Sequence, residues 1–148
     1  MSVQLCVLRV AGEDYVIDIK RVEEIIAVPQ LTPLPRAPKF LEGVVKLRGE
    51  VLPVLDVRKR LGVPTQAERG ATPRERRRER LVVCRIGRRR VGLVVDAVTH
   101  VVKVDKASIR PAPLAASPGR EPHVVGVCGE PDRLRLLLDV KALLSEDV

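Results

Sequence analysis

The chain reads GVVKLRGEVLPVLD from Gly43 to Asp56, and a similar stretch, GVCGEPDRLRLLLD, runs from Gly126 to Asp139 at an offset of 83 positions. In each copy a glycine and an aspartate enclose two apolar runs with a turn between them. Each copy then continues into a short basic and apolar segment, VRKRL in the first and VKALL in the second. Because similar segments at a constant offset indicate an internal repeat, the sequence predicts two related halves.

The first copy is predicted to be a β-hairpin, with strands at 43–48 and 51–55 and a turn at 49–50. Pro53 has no backbone N–H to donate, so the second strand is expected to lie at a sheet edge or at a bulge. The second copy is expected to repeat this hairpin.

Upstream of that hairpin, residues 4–10 and 15–19 are predicted to pair as a first hairpin, because a glycine-containing turn separates two strand-like runs. The apolar spacing then changes to three or four residues. This spacing predicts a helical turn over 19–26 that carries Glu23 and Glu24 outward.

The second half repeats this plan, with predicted strands at 81–86 and 91–95. Short strands rich in valine and leucine, with regular turns and little helix, predict an all-β fold of small barrels or a sandwich. Each half is too small to bury much surface by itself, so the two are expected to pack against one another within one domain. The predicted division is a first lobe at about 1–65, a connector at about 66–80 and a second lobe at about 81–148.

The net charge of +8 is concentrated in one segment. Residues 74–90 hold nine arginines and two glutamates, a net charge of +7, so the rest of the chain is nearly neutral. Charge confined to a connector differs from the basic face of a nucleic-acid-binding protein. Tyr15 and Phe40 are the only aromatic residues, which leaves few rings on which bases could stack. A basic small β-barrel protein that binds nucleic acid through the arginine run stays open as an alternative.

The sequence carries no motif for catalysis, for a metal or for a cofactor. Its three cysteines are widely spaced among apolar residues, which is typical of buried reduced thiols. Asp56 and Asp139 each follow a strand and precede a short helix, so they are interpreted as helix N-caps rather than as a catalytic carboxylate pair. No apolar run approaches the roughly 20 residues of a membrane span, and the N-terminus lacks a signal-peptide pattern. These features predict a cytoplasmic binding module.

Arg48 is the candidate binding residue, because it places a charge at the end of an apolar strand beside Gly49. Glu24 is its candidate partner, and an ion pair between them would fix the guanidinium in a groove wall among valines. The planar donor fork of arginine is favoured at protein interfaces. A solvated surface arginine is the alternative, and the periodicity does not decide between the two.

Five segments, taken in order, resemble the CheW family of bacterial chemotaxis coupling proteins. They are YVIDIKRVEEI (15–25), FLEGVVKLRGEVLPVLDVRKRLG (40–62), VGLVVDAV (91–98), IRPAP (109–113) and LLLDVKALL (136–144). The resemblance runs from about residue 4 to residue 144. It implies two five-stranded SH3-like β-barrels that are related by internal duplication and share a hydrophobic core. It also implies that the chain has no catalytic activity and is found in the cytoplasm at chemoreceptor clusters.

Members of that family link the cytoplasmic tips of chemoreceptors, the methyl-accepting chemotaxis proteins, to the regulatory domain of the histidine kinase CheA. The resemblance therefore implies an adaptor with these two partners, and other CheW-like proteins are further candidates. Lys46 and the long arginine-rich connector depart from the family pattern, so an adaptor that binds receptors without recruiting the kinase is the alternative within this class. The implied receptor-binding groove comprises Val22, Glu24, Arg48, Gly49 and Val51, and the implied kinase contacts are Gly92, Val95 and Val98.

Overall fold

The computed structural model describes residues 1–63, 72–112, 123–130 and 132–144, and these form eleven strands and three short α-helices. Single turns of 3-10 helix follow the second and eighth strands. The architecture is mostly β with short helices, as the sequence predicts. In chain order the elements are β1 (Ser2–Val10), β2 (Glu13–Asp18), β3 (Val22–Ala27), β4 (Leu41–Leu47), β5 (Glu50–Asp56), α1 (Val57–Leu61), α2 (Pro73–Arg78), β6 (Arg80–Ile86), β7 (Arg89–Val95), β8 (Ala97–Asp105), β9 (Arg110–Pro111), β10 (Val124–Glu130), β11 (Arg133–Leu138) and α3 (Val140–Leu143).

The predicted hairpins are formed as antiparallel pairs. β1 pairs with β2, β4 with β5, β6 with β7, and β10 with β11. Asp56 and Asp139 precede α1 and α3, and their carboxylates accept hydrogen bonds from the backbone N–H groups of Arg58 and Lys141. The interpretation of both aspartates as helix N-caps is therefore confirmed.

The strands form two sheets, and each sheet combines both halves of the chain. Sheet 1 has the order β3-β6-β7-β5-β4, and sheet 2 has the order β8-β1-β2-β11-β10-β9. In sheet 1, β5 of the first half lies parallel to β7 of the second, and in sheet 2 the equivalent strands β11 and β2 lie parallel. The N-terminal hairpin of each half is thus inserted into the sheet of the other half.

This exchange of hairpins corrects the predicted boundaries of the lobes at 65 and 81. Sheet 1 is built from the continuous segment 22–95, whereas sheet 2 is built from 2–18 together with 97–138. The predicted boundaries follow the repeat in the sequence. The sheets are instead defined by hydrogen bonds between strands that are distant in the chain. Local periodicity carries no information about such pairing.

Both sheets close into barrels. In each sheet, the chain that follows one edge strand pairs at the opposite edge of the same sheet. In sheet 1 the edges are β3 and β4, and Thr32, which follows β3, forms backbone hydrogen bonds of 2.9 and 2.8 Å with Val44 of β4. In sheet 2 the edges are β8 and β9, and β9 follows β8 in the chain and pairs with β10. Sheet 2 has six strands rather than the predicted five, and its two-residue strand β9 corresponds to the single bridge at Thr32.

Irregularities of the strands recur in the two halves. One bulge lies at Glu23 in β3 and another at Thr99 in β8, positions that differ by 76. A second pair of bulges lies at Glu42 in β4 and at Val125 in β10, positions that differ by 83. A β-bulge is a feature of the backbone conformation and does not follow from amino-acid composition. Its recurrence at equivalent positions therefore supports the internal duplication.

Gly43 and Gly126 open the two copies of the repeat, at places where the connecting chain approaches the hairpin. A Cβ atom on Gly43 would lie 2.4 Å from the carbonyl oxygen of Thr32, and one on Gly126 would lie 3.1 Å from that of Arg110. Gly43 also has a φ angle of 149°, which side chains rarely permit. The repeated glycine therefore allows two backbones to lie close together.

The described residues form three apolar clusters, and the largest draws residues from both sheets. β1 contributes Cys6 and Leu8 to this shared cluster, and it contributes Leu5 and Val7 to a smaller cluster of sheet 2. The equivalent strand β6 likewise divides its buried residues between the shared cluster and a cluster of sheet 1. The expected packing of two related units around a common core is therefore observed.

Two strand predictions differ in detail from the structure. The predicted helical turn is confined to Ile19–Arg21, and the two glutamates after it lie on β3, because pairing with β6 imposes an extended backbone. Pro53 lies on β5, which is an interior strand and not an edge. The pairing of β5 with β7 begins at Val54, so the missing N–H of Pro53 removes no hydrogen bond from that ladder.

Helix α2 was not predicted, because its residues were assigned to the connector 66–80. Thr72 caps this helix by accepting a hydrogen bond of 3.1 Å from the N–H of Glu75, and Pro73 occupies the first helical turn. A threonine followed by proline and, three residues on, by glutamate is a typical helix start, so the signal was present in the sequence. Residues 64–71, which include the rest of the connector, lie outside the described residues.

Candidate functional site

The candidate site is the tip of the β4–β5 hairpin. Leu47 pairs with Glu50, so the turn consists of Arg48 and Gly49 and not of the predicted positions 49 and 50. Both turn residues have positive φ, 51° for Arg48 and 81° for Gly49, as a type I′ hairpin turn requires. The left-handed conformation is natural for glycine, but it costs an L-residue such as arginine about 1–2 kcal/mol.

Arg48 is held by Glu24 across the end of the barrel. Its Nε donates a hydrogen bond of 2.8 Å to Oε2 of Glu24, and its Nη2 lies 3.5 Å from Oε1. This hydrogen bond raises the pKa of Arg48 above its usual value. The side chain of Arg48 is nevertheless 68% exposed, against 20% for that of Glu24. The predicted ion pair is formed, and most of the Arg48 side chain remains exposed to solvent.

The other residues of the predicted receptor groove differ in exposure. Val51 is 66% exposed, two residues after the turn glycine. Val22 on β3 is half-buried and packs against the shared core cluster, so its main contribution is to packing. Ile25 was not among the predicted residues, yet it is 39% exposed one position after Glu24.

A second ion-pair network lies beside the hairpin and was not predicted. Glu23 contacts Nε of Arg85 at 2.7 Å and Nε of Arg90 at 3.0 Å. The Arg90 contact is an ion pair. Arg90 also lies 3.3 Å from Oε2 of Glu50, the residue after the turn. The hydrogen bond from Arg85, together with Arg90, lowers the pKa of Glu23.

The buried member of this network is Arg90, whose side chain is only 4% exposed. Sequence alone gives no reason to choose it among three consecutive arginines, because its burial depends on Glu23 from β3 and Glu50 from β5. Through Glu50, the network ties the β5 side of the hairpin tip to the neighbouring strands. The hairpin tip is therefore supported from two sides.

The predicted kinase contacts are largely not at the surface. Gly92 is buried, and a Cβ atom there would lie 2.6 Å from Cδ1 of Leu81. Val95 is 1% exposed, and Val98 is half-buried against the shared core cluster. β7 is an interior strand with both faces covered, as its uninterrupted apolar run indicates. The structure therefore does not support Gly92 and Val95 as direct contacts, and only Val98 reaches the surface.

Exposed apolar residues recur in the two barrels at the offsets of the repeat. Ile25 and Val51 in sheet 1 are 39% and 66% exposed, and their equivalents in sheet 2, Val101 and Leu134, are 49% and 42% exposed. The positions that correspond to the glutamate and arginine of the ion pair hold histidine and proline in the second half. The two barrels thus offer similar apolar positions with different polar neighbours.

The described residues contain no group of three or more histidine, cysteine, aspartate or glutamate side chains that could hold a metal ion. The three cysteines are buried free thiols, as predicted, and burial raises the pKa of Cys84 to about 12. Among the helices of the described segments, none has the length and apolarity to cross a bilayer. What the described surface offers is a rigid polar and apolar hairpin tip suited to binding.

Comparison with known proteins gives a consistent result. The sequence model of the CheW-like domain matches residues 4–148. The chemotaxis protein CheW of Klebsiella aerogenes is 32% identical over 144 residues, which cover 97% of this chain and 82% of that protein. Protein FrzA of Myxococcus xanthus is 39% identical over 108 residues, which cover 73% of this chain and 62% of that protein. The crystal structure of the scaffolding protein TtCheW from Thermoanaerobacter tengcongensis superposes with a TM-score of 0.85 at 28% identity, covering 99% of this chain and 90% of that one.

Proposed function

The chain belongs to the CheW-like family, and on that premise we propose that it is a chemotaxis coupling adaptor that links a chemoreceptor to a CheA-type histidine kinase. The adaptor contributes binding energy and not chemistry, and it works as a single CheW-like domain. Its place is in the cytoplasm, at chemoreceptor clusters. The observation that carries the proposal is the geometry of the hairpin tip, where Arg48 holds a costly backbone conformation and keeps most of its side chain exposed.

The receptor contact is assigned to Glu24, Arg48, Gly49 and Val51. Backbone strain at a surface turn tends to persist where it serves a function. Glycine at position 48 would remove the strain, so the arginine is expected to be retained for what its side chain does. Glu24 fixes the direction of the guanidinium, and the exposed Val51 supplies apolar contact beside it. A pre-oriented arginine next to an apolar residue is typical of a binding hot spot.

The kinase contact is assigned to the barrel of sheet 2. Val98 reaches its surface, and Val101 and Leu134 provide exposed apolar area at the positions equivalent to those of the receptor site. Because the internal duplication gives each barrel similar apolar positions, one chain can bind two partners at once. The second site has histidine and proline in place of the ion pair of Glu24 and Arg48, so it would favour a partner of different surface chemistry. Other CheW-like proteins are further candidate partners for the same surface.

A pull-down with the cytoplasmic tip of a chemoreceptor tests the receptor contact. Arg48→Ala and Glu24→Ala are each expected to weaken receptor binding by about tenfold or more, as is usual for a hot-spot residue. Arg133→Ala is the matched control, because Arg133 is also 68% exposed and lies on the corresponding hairpin of the second half. Unchanged binding by both Arg48→Ala and Glu24→Ala would exclude this receptor site.

A separate pull-down with the kinase regulatory domain tests the second contact. Val101→Glu and Leu134→Glu place a charge on exposed apolar positions, so they are expected to reduce kinase binding while receptor binding is retained. An adaptor that binds receptors without the kinase is the alternative within this family. That alternative would be established if the wild-type chain bound the receptor tip but not the kinase domain.

A further inference from the structure

The arginine-rich segment 74–80 lies outside the proposed receptor contact and contains most of helix α2. Residues 74–80 contain five arginines and two glutamates. Every residue of α2 is exposed, and none of its side chains is buried. A helix without an apolar face gains no stability from core packing. The role of α2 is therefore to be sought at the surface.

Two local polar contacts stabilise the ends of this short helix. Thr72 caps its first turn, and Arg80 donates hydrogen bonds of 2.8 and 2.7 Å to the backbone carbonyl groups of Arg77 and Glu79. The second contact satisfies carbonyl groups that a helix end leaves without partners. The side chains near the C-terminal end of α2 consequently project from a defined backbone.

A groove of about 820 Å³ lies between α2 and the body of the protein. Its walls hold five arginines against three carboxylates, a net formal charge of +2, and its uncharged lining comes mainly from the start of β8. A groove of this volume is large enough for several residues of an extended peptide. The lining residues are Arg9, Gly12, Arg58, Glu75, Arg77, Arg78, Glu79, Arg80, Asp96, Ala97, Val98 and Thr99.

Within the groove, the carboxylate of Asp96 already has partners. Its Oδ2 accepts hydrogen bonds of 3.0 and 2.7 Å from Nε and Nη2 of Arg58, and one of 2.7 Å from the backbone N–H of Ala11. Because Arg58 neutralises this carboxylate, Asp96 offers little repulsion to an incoming anion. The exposed arginines of α2 then determine the sign of the potential in the groove.

We propose that this groove binds an acidic segment of a protein partner, with Arg77 and Arg78 as its main contacts. The planar guanidinium matches a carboxylate through two parallel hydrogen bonds. The uncharged residues at the start of β8 leave room for the partner backbone. This site is distinct from the proposed receptor contact, since Arg48 does not line it, but it shares Val98 with the proposed kinase contact.

A protein segment fits the groove better than a nucleic acid does. Glu75 and Glu79 alternate with the arginines of the segment and would repel a continuous phosphate backbone. None of the described residues that line the groove is aromatic, so a base would find no ring there on which to stack. An acidic peptide can place separate carboxylates against separate arginines and avoid the two glutamates.

Fluorescence anisotropy with the whole chain tests the proposal. The probes are a labelled peptide of ten glutamates and, for comparison, an oligothymidylate of ten nucleotides with the same label. The glutamate peptide is expected to bind more tightly than the oligothymidylate, and its binding is expected to weaken with added salt. The double variant R77E/R78E should bind the peptide about tenfold or more weakly, because two attractions become repulsions.

The matched control is R88E/R89E, which changes the net charge equally at two exposed arginines outside the groove. It should alter binding of the peptide by less than about threefold, since exposed charges beyond a Debye length of about 10 Å are largely screened. Absence of peptide binding by the wild type would overturn the proposal. So would equal weakening by the two double variants, or tighter binding of the oligothymidylate. Retention of receptor binding by R77E/R78E separates this site from the proposed receptor contact.

Discussion

Replacing Arg48 by glycine separates the two roles of this residue, the conformation of the turn and the contact with a partner. With φ at 51°, arginine carries a strain of about 1–2 kcal/mol that glycine would remove, and the greater freedom of glycine in the unfolded chain offsets about 0.4–1 kcal/mol of that gain. Loss of the exposed ion pair with Glu24 is expected to cost little, because solvent screens it. The free energy of unfolding of Arg48→Gly is therefore expected to lie within about 1 kcal/mol of that of the wild type.

Arg48→Ala is the companion variant, because it loses the same ion pair but keeps the strained backbone. It should be less stable than Arg48→Gly by about 1 kcal/mol, which corresponds to a difference of about 2–4 °C in Tm for a chain of this size. Thermal unfolding followed by circular dichroism measures the stabilities, and isothermal titration calorimetry with the receptor tip measures binding. Both variants should lose receptor affinity to the same extent. A glycine variant less stable than the alanine variant would refute the strain argument, and a glycine variant with wild-type affinity would refute the binding role.

Two further predictions concern the core. Gly43→Ala would place a Cβ atom 2.4 Å from the carbonyl oxygen of Thr32 and break the backbone bridge there, so a loss of about 3–5 kcal/mol is expected in urea unfolding. Gly62→Ala is its control, since Gly62 also has positive φ but has open space around it, and it should cost only about 1 kcal/mol. A similar loss in the two variants would show that the close approach is unimportant. The three buried thiols should not react with a thiol reagent at pH 8 in the native protein and should react fully in urea. Burial raises the pKa of Cys84 from 9.0 in the unfolded chain to about 12 in the folded chain. Stability should therefore fall as pH rises from 9 towards 12, and Cys84→Ala should lessen that fall.

Much of this fold is readable from local pattern. The repeat at Gly43 and Gly126, the hairpins and the capping aspartates all depend on residues that are close in sequence, and the structure contains each of them. The ion pair between Glu24 and Arg48 is a longer-range prediction that the geometry also confirms. Its role in receptor binding stays a prediction.

The predictions that differ from the structure have two kinds of cause. The exchange of hairpins and the burial of Arg90 result from strand pairing between distant parts of the chain, which periodicity does not report. In contrast, α2 and the interior position of β7 had local signals. The segment Thr72-Pro73-Arg74-Glu75 is a helix start, and the unbroken apolar run at 91–95 is typical of a strand covered on both faces.

The hairpin exchange has a consequence for the order in which the chain can fold during its synthesis. All strands of sheet 1 are available once residue 95 has emerged, but β2 must wait for its parallel partner β11 at 133–138. We expect the barrel of sheet 1, which carries Arg48, to form first on the ribosome. The residues that it contributes to the shared core cluster would then still be exposed to solvent. The last segment to be made then completes the second barrel and covers that surface. Hydrogen exchange on ribosome-bound chains of increasing length would show whether protection of β6 precedes that of β1.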